Sequence, residues 1–289
     1  MRPTAHPTAI EIQTISICNA KCVICPHPIV SKSLPTGIMP MERFTNIIDQ
    51  ISPSWNCRII PYLNSEPLLD PMMIERLRYI CEKIEFPQIE LSTNVSPMTA
   101  TMQTKLTGIP IKNLRLSIFG FSEKTHGQMM PGLDWRMIKR NLDSAVSNSA
   151  LRKGIEILEI VMIEHPYVPH EEVELAQQYC LEHDVNFSFW GFLDRAGNVE
   201  QHSNNINRPV IIGCEQERPL KRMHITLTGE VIICCQDWRS KEIIGNIFTQ
   251  ELLSIWHSIR YNKYREDIYS GCGLHPELCA RCKLSIQAL

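Results

Sequence analysis

The sequence predicts an α/β fold, with a parallel sheet in the first two-thirds of the chain and a smaller unit after it. Six strand-like runs alternate with five helix-like runs up to about residue 190. Strands that alternate with helices in this way form parallel sheets with right-handed crossovers. The alternation stops after about Asn198, where the polar segment Gln201–Pro209 indicates a linker. We therefore expect one domain over residues 1–200 and a second over residues 201–289.

Each predicted element depends on a local pattern. Apolar residues recur at helical spacing, as Leu77, Ile80 and Ile84 do, and Pro71 and Asp134 stand where helices are expected to begin. The strand candidates are Ile10–Ser16, Arg58–Leu63, Gln88–Thr93, Asn113–Ile118, Ile155–Ile163 and Asn186–Trp190. The helix candidates between them are Met41–Ile51, Pro71–Ile84, Thr99–Leu106, Trp135–Asn148 and His170–His183.

The second unit is predicted to begin with a β-hairpin. Its strands, Lys221–Leu227 and Val231–Cys235, flank a turn with a central glycine. A helical stretch, Gln250–Tyr261, follows, and a short tail ends in the pair Cys279 and Cys282.

Composition excludes several classes of protein. The chain has 289 residues, 44% of them hydrophobic, and a formal net charge of −2 with no run of basic residues. This charge pattern does not favour nucleic acid as a partner. No apolar stretch reaches membrane-spanning length, and Met1–Ala9 lacks the hydrophobic core of a signal peptide. We therefore expect a cytoplasmic protein with neither nucleic acid nor a membrane as partner.

Twelve cysteines are many for a cytosolic chain. Disulfides would require an oxidising compartment, for which the sequence carries no signal. Cys57, Cys81 and Cys180 lie in predicted strands or helices and are expected to be small buried hydrophobic residues. The other nine cluster at the two ends of the chain, where we expect the chemistry.

The first group is Cys18, Cys22 and Cys25, with the spacing C-x3-C-x2-C directly after the first strand. Functional loops in parallel α/β folds lie at the carboxyl ends of the strands, as this one does. Three thiolates in a tight loop can bind an iron–sulfur cube and leave one iron without a protein ligand. The alternatives are buried thiols, or a zinc knuckle closed by His27, since structural zinc sites have four ligands.

This spacing resembles that of the radical S-adenosylmethionine (SAM) superfamily. The resemblance implies a partial (β/α)6 TIM-like barrel and a [4Fe–4S] cluster whose open iron chelates the amino and carboxylate groups of SAM. It also implies reductive cleavage of SAM to a 5′-deoxyadenosyl radical, which removes a hydrogen atom from substrate. An electron donor of the flavodoxin or ferredoxin type is the partner that such chemistry implies.

Segments after the second and third strands resemble family elements that bind SAM. Asn64, Ser65 and Glu66 correspond to the Gly-Gly-Glu segment that binds the methionine amino group, although the two small glycines are replaced. Ser92 and Asn94 belong to a Ser-Thr-Asn segment similar to the family's Thr-Asn-Gly. The structural alternatives are a helix start and a turn cap.

Three further positions are implied as SAM contacts by the same resemblance. Ser117, on the fourth strand, takes the place of a polar residue that faces the ribose. Met162, on the fifth, is a candidate for a backbone contact with adenine. Ile24 stands where many members carry an aromatic residue that packs on the adenine.

The second group of cysteines is predicted to hold another cluster. Cys214, Cys234, Cys279 and Cys282 could close completely around a cube. The opening Cys-x14-Gly-x4-Cys resembles the SPASM/Twitch extension of radical SAM enzymes, which implies one auxiliary [4Fe–4S] cluster here. Zinc suits the same thiolates, and Cys272 is an alternate ligand or a spare.

Alternation along a regular strand would turn Cys235 away from Cys234, which makes it either a buried structural residue or a free thiol that faces the barrel mouth. As a free thiol it is the candidate hydrogen-atom donor to a substrate radical. Such a donor would give epimerisation, whereas loss of an electron to the auxiliary cluster would give a two-electron oxidation. The predicted first strand begins by about Ile10 and leaves no room for a leader-binding domain. We therefore expect a small polar substrate such as an amino sugar or aminocyclitol, although the family's ribosomal-peptide maturases are an alternative.

Four residues near the predicted cleft could bind such a substrate, or could equally be capping and core residues: Trp190, Asp194, Asp237 and Trp238. A non-catalytic electron carrier with two closed clusters is a further alternative, and it would need His27 as fourth ligand of the first cluster.

Overall fold

The computed structural model describes residues 2–199 and 210–288. The predicted linker Gln201–Pro209 and the expected domain boundary at residue 200 lie outside the described residues. In chain order the strands are β1 (Ala9–Ile12), β2 (Arg58–Ile60), β3 (Gln88–Thr93), β4 (Ile111–Ser117), β5 (Ile155–Ile163), β6 (Asn186–Trp190), β7 (Ile211–Cys214), β8 (Arg222–Ile225), β9 (Glu230–Ile232), β10 (Ile243–Asn246) and β11 (Ser285–Gln287).

The helices cover the outer face of the sheet and the C-terminal region. In chain order they are α1 (His27–Val30), α2 (Met41–Ile48), α3 (Met73–Lys83), α4 (Ala100–Leu106), α5 (Glu123–Met129), α6 (Trp135–Ser147), α7 (Ser149–Arg152), α8 (His170–His183), α9 (Arg218–Lys221), α10 (Leu252–Trp256), α11 (Ile259–Tyr269) and α12 (Glu277–Arg281). No helix of the described part of the chain is long and apolar enough to cross a membrane.

The predicted α/β fold is confirmed. One nine-stranded sheet has the order β10-β9-β8-β1-β2-β3-β4-β5-β6, and β1 to β6 are parallel neighbours in sequence order. The bounds of β3, β5, β6 and α8 agree with the sequence prediction. The first two strands are shorter than expected, and β1 ends at Ile12. The carboxyl ends of these strands therefore meet at one edge, as the predicted site requires.

The C-terminal hairpin belongs to the same sheet. β8 pairs in parallel with β1, with His224 opposite Glu11, and then pairs antiparallel with β9. β7 and β11 form a separate antiparallel pair. The second unit therefore extends the barrel sheet through β1.

Two predicted elements of this unit are wrong. The helix expected over Gln250–Tyr261 is broken, and α11 begins anew because the Ser258 hydroxyl accepts a hydrogen bond from the Tyr261 N–H at 3.1 Å. The strand expected to reach Cys235 ends at Ile232. The Asp237 N–H donates to the Cys234 carbonyl at 2.9 Å, so both cysteines lie in a turn.

The inner face of the sheet carries charged side chains from neighbouring strands. Arg58 lies 3.2 Å from Glu90, and Arg115 bridges Glu90 to Glu159, 3.1 Å away. On the other side of β1, Glu11 contacts both Arg222 and His224. We call these seven residues the charge belt: Glu11, Arg58, Glu90, Arg115, Glu159, Arg222 and His224. Each of the seven charges has an oppositely charged partner, which offsets part of the cost of removing it from water.

Apolar residues fill the space between the sheet and its helices. Phe44, Ile47 and Ile48 of α2 and Leu77 and Ile80 of α3 are almost completely buried. Burial of one such side chain stabilises a fold by roughly 1.5–3 kcal/mol. This packing fixes the strands whose ends carry the site.

Candidate active site

The loop after β1 holds Cys18, Cys22 and Cys25, each partly buried. Its backbone is fixed by the end of α5 and the segment that follows it: the Val23 N–H donates to the Met129 carbonyl at 3.0 Å, and the Lys21 N–H donates to the Pro131 carbonyl at 2.7 Å. The loop is therefore held in place by a neighbouring element rather than by its own turn alone.

Side-chain amides add a second support. The Asn94 amide donates to the Asn19 side-chain oxygen at 2.9 Å, and the Asn19 amide donates to the Ser96 hydroxyl at 2.8 Å. Asn94 thus connects the end of β3 to the cysteine loop. This role adds to the SAM contact that the sequence predicts for it.

The electrostatics of the three thiols fit a metal cluster. Burial raises the pKa of the Cys18 thiol to about 12, and burial and then the neighbouring thiols raise the pKa of Cys22 well above its usual range. Burial also raises the pKa of Cys25. Thiolates in such surroundings need the positive charge of bound metal. A donor set of three grouped thiols therefore suits an iron–sulfur cluster with one open iron.

A cavity of about 210 Å³ adjoins the cysteine loop. Seven of the eight residues predicted to contact SAM line it: Ile24, Asn64, Ser65, Glu66, Ser92, Asn94 and Ser117. The Ser65 hydroxyl is buried and makes no hydrogen bond to any described residue. A buried polar atom without a partner is expected where a ligand supplies one. The cavity therefore fits a polar cofactor such as SAM.

Met162 is placed differently from these seven. Its side chain is fully buried and packs with Val173 and Ala176 of α8, and it does not line the cavity. Because the side chain does not face the cavity, the predicted contact with adenine would be made by the backbone of Met162.

Glu66 joins the ends of two strands. Its carboxylate accepts hydrogen bonds from the Leu68 N–H at 3.1 Å, the Thr93 hydroxyl at 2.8 Å and the Asn94 N–H at 2.7 Å. Burial raises its pKa to about 7 in spite of these bonds. Glu66 therefore has the structural role that the sequence analysis gave as the alternative, a helix start, and its hydrogen bonds fix the cavity wall. It also lines the cavity, as the predicted SAM contact requires.

Ser92 and Ser117 lie on adjacent strands, with their hydroxyl oxygens 3.2 Å apart.

His27 also lines the cavity beside the cysteine loop, and its Nε2 lies 2.9 Å from the Ser16 carbonyl oxygen. Because a carbonyl only accepts, Nε2 is the donor in this bond, and it is not available as a zinc ligand in this arrangement.

Three of the four predicted auxiliary ligands are grouped. Cys214 ends β7, Cys279 lies on α12, and Cys282 follows α12 directly. Burial and then the thiols of Cys282 and Cys214 raise the pKa of Cys279, and burial also raises the pKa of Cys282. As in the first loop, thiolates here need a metal charge.

Arg218 connects this group to the fourth predicted ligand. It donates to the buried sulfur of Cys234 at 3.8 Å and interacts electrostatically with Cys282.

Cys272 is exposed, and its sulfur accepts a hydrogen bond from the Ser270 hydroxyl at 2.9 Å. Of the three cysteines predicted to be small buried hydrophobic residues, Cys57 and Cys180 are buried, whereas Cys81 is only partly buried.

Cys235 lies beside two residues that the sequence analysis missed. Its sulfur, a carboxylate oxygen of Glu11 and a ring nitrogen of His224 all lie within 4.8 Å of one another. Its hydrogen bond with Cys234 and then its burial raise the pKa of the Cys235 thiol well above its usual range. A glutamate within the apolar run of β1 was the available signal for this group.

His224 and Glu11 form a buried ion pair, with Nε2 and Oε1 3.2 Å apart. Burial alone would lower the pKa of His224, but the Glu11 carboxylate and the hydrogen bonds of the group raise it to about 9. Burial alone would raise the pKa of Glu11, yet His224, Arg222 and Arg218 lower it to about 2. His224 is therefore protonated and Glu11 ionised at neutral pH.

A second cavity, of about 750 Å³, lies next to the first. Ile24, Tyr62 and Arg195 line both. Five residues of the charge belt form part of the wall of the larger cavity, and Cys235 lines it too: Glu11, Arg58, Glu90, Arg115 and Arg222. A volume of this size suits a small organic substrate.

The four residues near the predicted cleft have different positions. Trp190 lines the larger cavity, with the Arg115 guanidinium 5.3 Å from its ring centre, and Trp238 lines the smaller one. The Asp237 carboxylate accepts from the N–H groups of Lys241 and Glu242 and so caps a turn. Asp194 is buried and lines neither cavity.

Comparison with protein families identifies the class. A model of the radical SAM superfamily matches residues 12–178, and a model of the SPASM iron–sulfur cluster-binding domain matches residues 214–283. Because the first match covers more than half of the chain, the protein belongs to the radical SAM superfamily. The predicted enzyme class, its SAM cofactor and its two kinds of iron–sulfur cluster are confirmed.

Individual relatives are more distant. The S-adenosyl-L-methionine-dependent 2-deoxy-scyllo-inosamine dehydrogenase of Niallia circulans is 23% identical over 283 residues, covering 96% of this chain and 94% of that protein. The crystal structure of BtrN in complex with AdoMet and 2-DOIA matches with a TM-score of 0.63 and 20% identity, over 100% of this chain and 97% of that one. Streptococcus suis SuiB bound to precursor peptide SuiA matches with a TM-score of 0.70 and 14% identity, over 98% of this chain and 71% of that one. At these identities the structural likeness shows the fold alone.

Proposed function

We propose that this enzyme removes a hydrogen atom from a small polar molecule and resolves the substrate radical by epimerisation or by two-electron oxidation. The observation that supports this proposal most is the contact between the two cavities. The cysteine loop lines the smaller one, Cys235 lines the larger one, and Ile24, Tyr62 and Arg195 line both.

The proposed ligands of the first cluster are Cys18, Cys22 and Cys25. When bound, this cluster and SAM together supply the 5′-deoxyadenosyl radical. The residues of the chain hold and orient the cofactor: the Ser65 hydroxyl offers a hydrogen bond that no described residue takes up, and the hydrogen bonds of Glu66 fix the wall around it. The apolar side chain of Ile24 lines both the cofactor site and the larger cavity.

The proposed ligands of the auxiliary cluster are Cys214, Cys234, Cys279 and Cys282. Arg218 donates to the Cys234 sulfur, and such hydrogen bonds tune a cluster's reduction potential.

We place the domain boundary between residues 200 and 201. We further propose a cytoplasmic enzyme that receives electrons from a flavodoxin- or ferredoxin-type donor.

The substrate proposal is an amino sugar or aminocyclitol. The name of the Niallia circulans relative, a 2-deoxy-scyllo-inosamine dehydrogenase, supports it, and so does the polar wall of the larger cavity. The peptide-bound SuiB structure supports the alternative of a peptide substrate. The thiol of Cys235 in the cavity wall favours return of a hydrogen atom, and hence epimerisation.

One experiment tests the radical chemistry and its outcome together. Enzyme reconstituted without oxygen is reduced and incubated with SAM and candidate substrates, including 2-deoxy-scyllo-inosamine, in deuterated water. We expect 5′-deoxyadenosine from the wild type and none from Cys22→Ala. Deuterium in the product indicates return of hydrogen by a thiol, and a loss of two mass units indicates oxidation. Turnover by Cys22→Ala would refute the proposal.

A further inference from the structure

The carboxylates in the wall of the larger cavity are all paired. The two acidic residues in the described part of that wall are Glu11 and Glu90. Glu11 contacts Arg222 at 3.4 Å and His224 at 3.2 Å, and Glu90 contacts Arg58 at 3.2 Å and also Arg115. Among the described residues of this wall, an amine of the substrate would therefore meet only carboxylates that already have cationic partners.

Arginines outnumber these carboxylates. The described part of the same wall contains five of them: Arg58, Arg115, Arg195, Arg218 and Arg222. Three belong to the charge belt and are paired with its glutamates. Arg218 donates to Gln216 and to the sulfur of Cys234, where the thiolates of a bound cluster would offset its charge.

Arg195 is the exception. Within residues 2–199 and 210–288 its guanidinium has no hydrogen bond and no ion pair. It lines both cavities and lies close enough to Cys25 to lower the pKa that burial raises there. Cys25 is near enough to act on it electrostatically but forms no hydrogen bond with it. A partly buried guanidinium without a hydrogen-bonding partner costs hydration energy that an anion would restore.

We propose that the substrate carries an anionic group, a phosphate or a carboxylate, which Arg195 binds. A planar guanidinium matches both anions through paired N–H donors. A substrate bound at the junction of the cavities would place its remaining atoms in the larger one, where the charge belt offers hydrogen-bonding groups to hydroxyls. This proposal rests on the proposed function and adds a charge to its amino-sugar or aminocyclitol substrate.

Four sugars with the same pyranose ring distinguish a neutral, a cationic, a phosphate-bearing and a carboxylate-bearing substrate: glucose, glucosamine, glucose 6-phosphate and glucuronate. Their binding to the reconstituted holoenzyme with SAM is measured by calorimetry. We expect at least one of the two anions to bind tenfold or more tightly than glucose, and the stronger anion identifies phosphate or carboxylate as the group. Equal affinities, no binding of either anion, or a preference for glucosamine would overturn the proposal.

Variants test the role of Arg195. In Arg195→Gln the preference for the anion over glucose should fall about tenfold, while SAM affinity stays within twofold of the wild type. Arg78→Gln is the matched control, because Arg78 is exposed on α3 and lines neither cavity. A loss of SAM affinity with the anion preference intact would assign Arg195 to the SAM carboxylate and overturn the inference.

Formation of 5′-deoxyadenosine is measured on the same samples. An enzyme that cleaves SAM but shows no anion preference contradicts this inference alone. An enzyme that prefers the anion but never cleaves SAM contradicts the proposed function on which the inference rests.

Discussion

Glu11 and His224 face each other across two neighbouring parallel strands, and their ion pair lies beside the thiol of Cys235. The imidazole is fully buried. The pair therefore joins the first strand of the barrel to the C-terminal unit and determines the surroundings of the proposed hydrogen donor. Both consequences can be measured.

The ion pair should make stability depend on pH. The pKa of His224 rises from 6.5 to about 9 on folding, so its contribution is complete below pH 6.5 and is lost as the pH rises through 9. The pKa of Glu11 falls from 4.5 to about 2, so its contribution is complete above pH 4.5 and is lost as the pH falls towards 2. For His224 the loss amounts to ~3 kcal/mol at most.

Urea unfolding of the holoenzyme at pH 6 and pH 9 checks this dependence. The wild type should lose more stability between these values than His224→Gln does. His170→Gln is the control, because His170 is exposed on α8. An equal alkaline loss in wild type and His224→Gln would show that the pair is not charged as described.

Replacement of Cys235 by alanine should separate SAM cleavage from hydrogen return. The variant keeps the first cysteine loop and should still form 5′-deoxyadenosine, but it should incorporate no solvent deuterium into product. Cys272→Ala is the matched control, because Cys272 is an exposed thiol that lines neither cavity. Normal product stereochemistry in Cys235→Ala would favour oxidation.

Replacement of Cys279 should remove one cluster and leave the other. Cys279→Ala is expected to contain about four iron atoms fewer per chain than the wild type, because an auxiliary cube would lose one of its four thiolates. SAM binding should persist. Iron analysis and electron paramagnetic resonance measure the two effects, with Cys81→Ala as control. Unchanged iron content would show that Cys279 is not a ligand.

Glu66→Gln should weaken SAM binding and stability together. Whichever way the amide is turned, its NH2 group faces the N–H of either Leu68 or Asn94, and one backbone donor loses its acceptor. We expect a loss of about 1–3 kcal/mol of stability. Equilibrium dialysis with SAM and urea unfolding measure the effects. Glu42→Gln, at an exposed position on α2, should change neither, and a Glu66→Gln variant of wild-type stability would contradict this description.

Local patterns were sufficient to predict much of the barrel. Strands β3, β5 and β6 and helix α8 have the predicted bounds because clear changes in periodicity delimit them. The break between α10 and α11 was missed, because Ser258 caps a helix without any change in apolar spacing.

Long-range pairing explains the residues that were missed in the site. Glu11 and His224 are separated by 213 positions and meet only because β8 joins the sheet beside β1. The charge belt was missed for the same reason. In the sequence, a single charged residue in a strand, such as Arg115, looks the same as one that faces solvent. In the structure, the curvature of the sheet turns Arg115 inward, where it pairs with Glu90 and Glu159.

The parallel pairing of β8 with β1 has a consequence for attempts to divide this enzyme. A chain shortened to its first two hundred residues would leave one side of β1 without its hydrogen-bonding neighbour, immediately before the Cys18 loop. An unprotected strand edge invites pairing with other molecules. This N-terminal fragment on its own is therefore expected to self-associate rather than to act as a minimal SAM-cleaving enzyme.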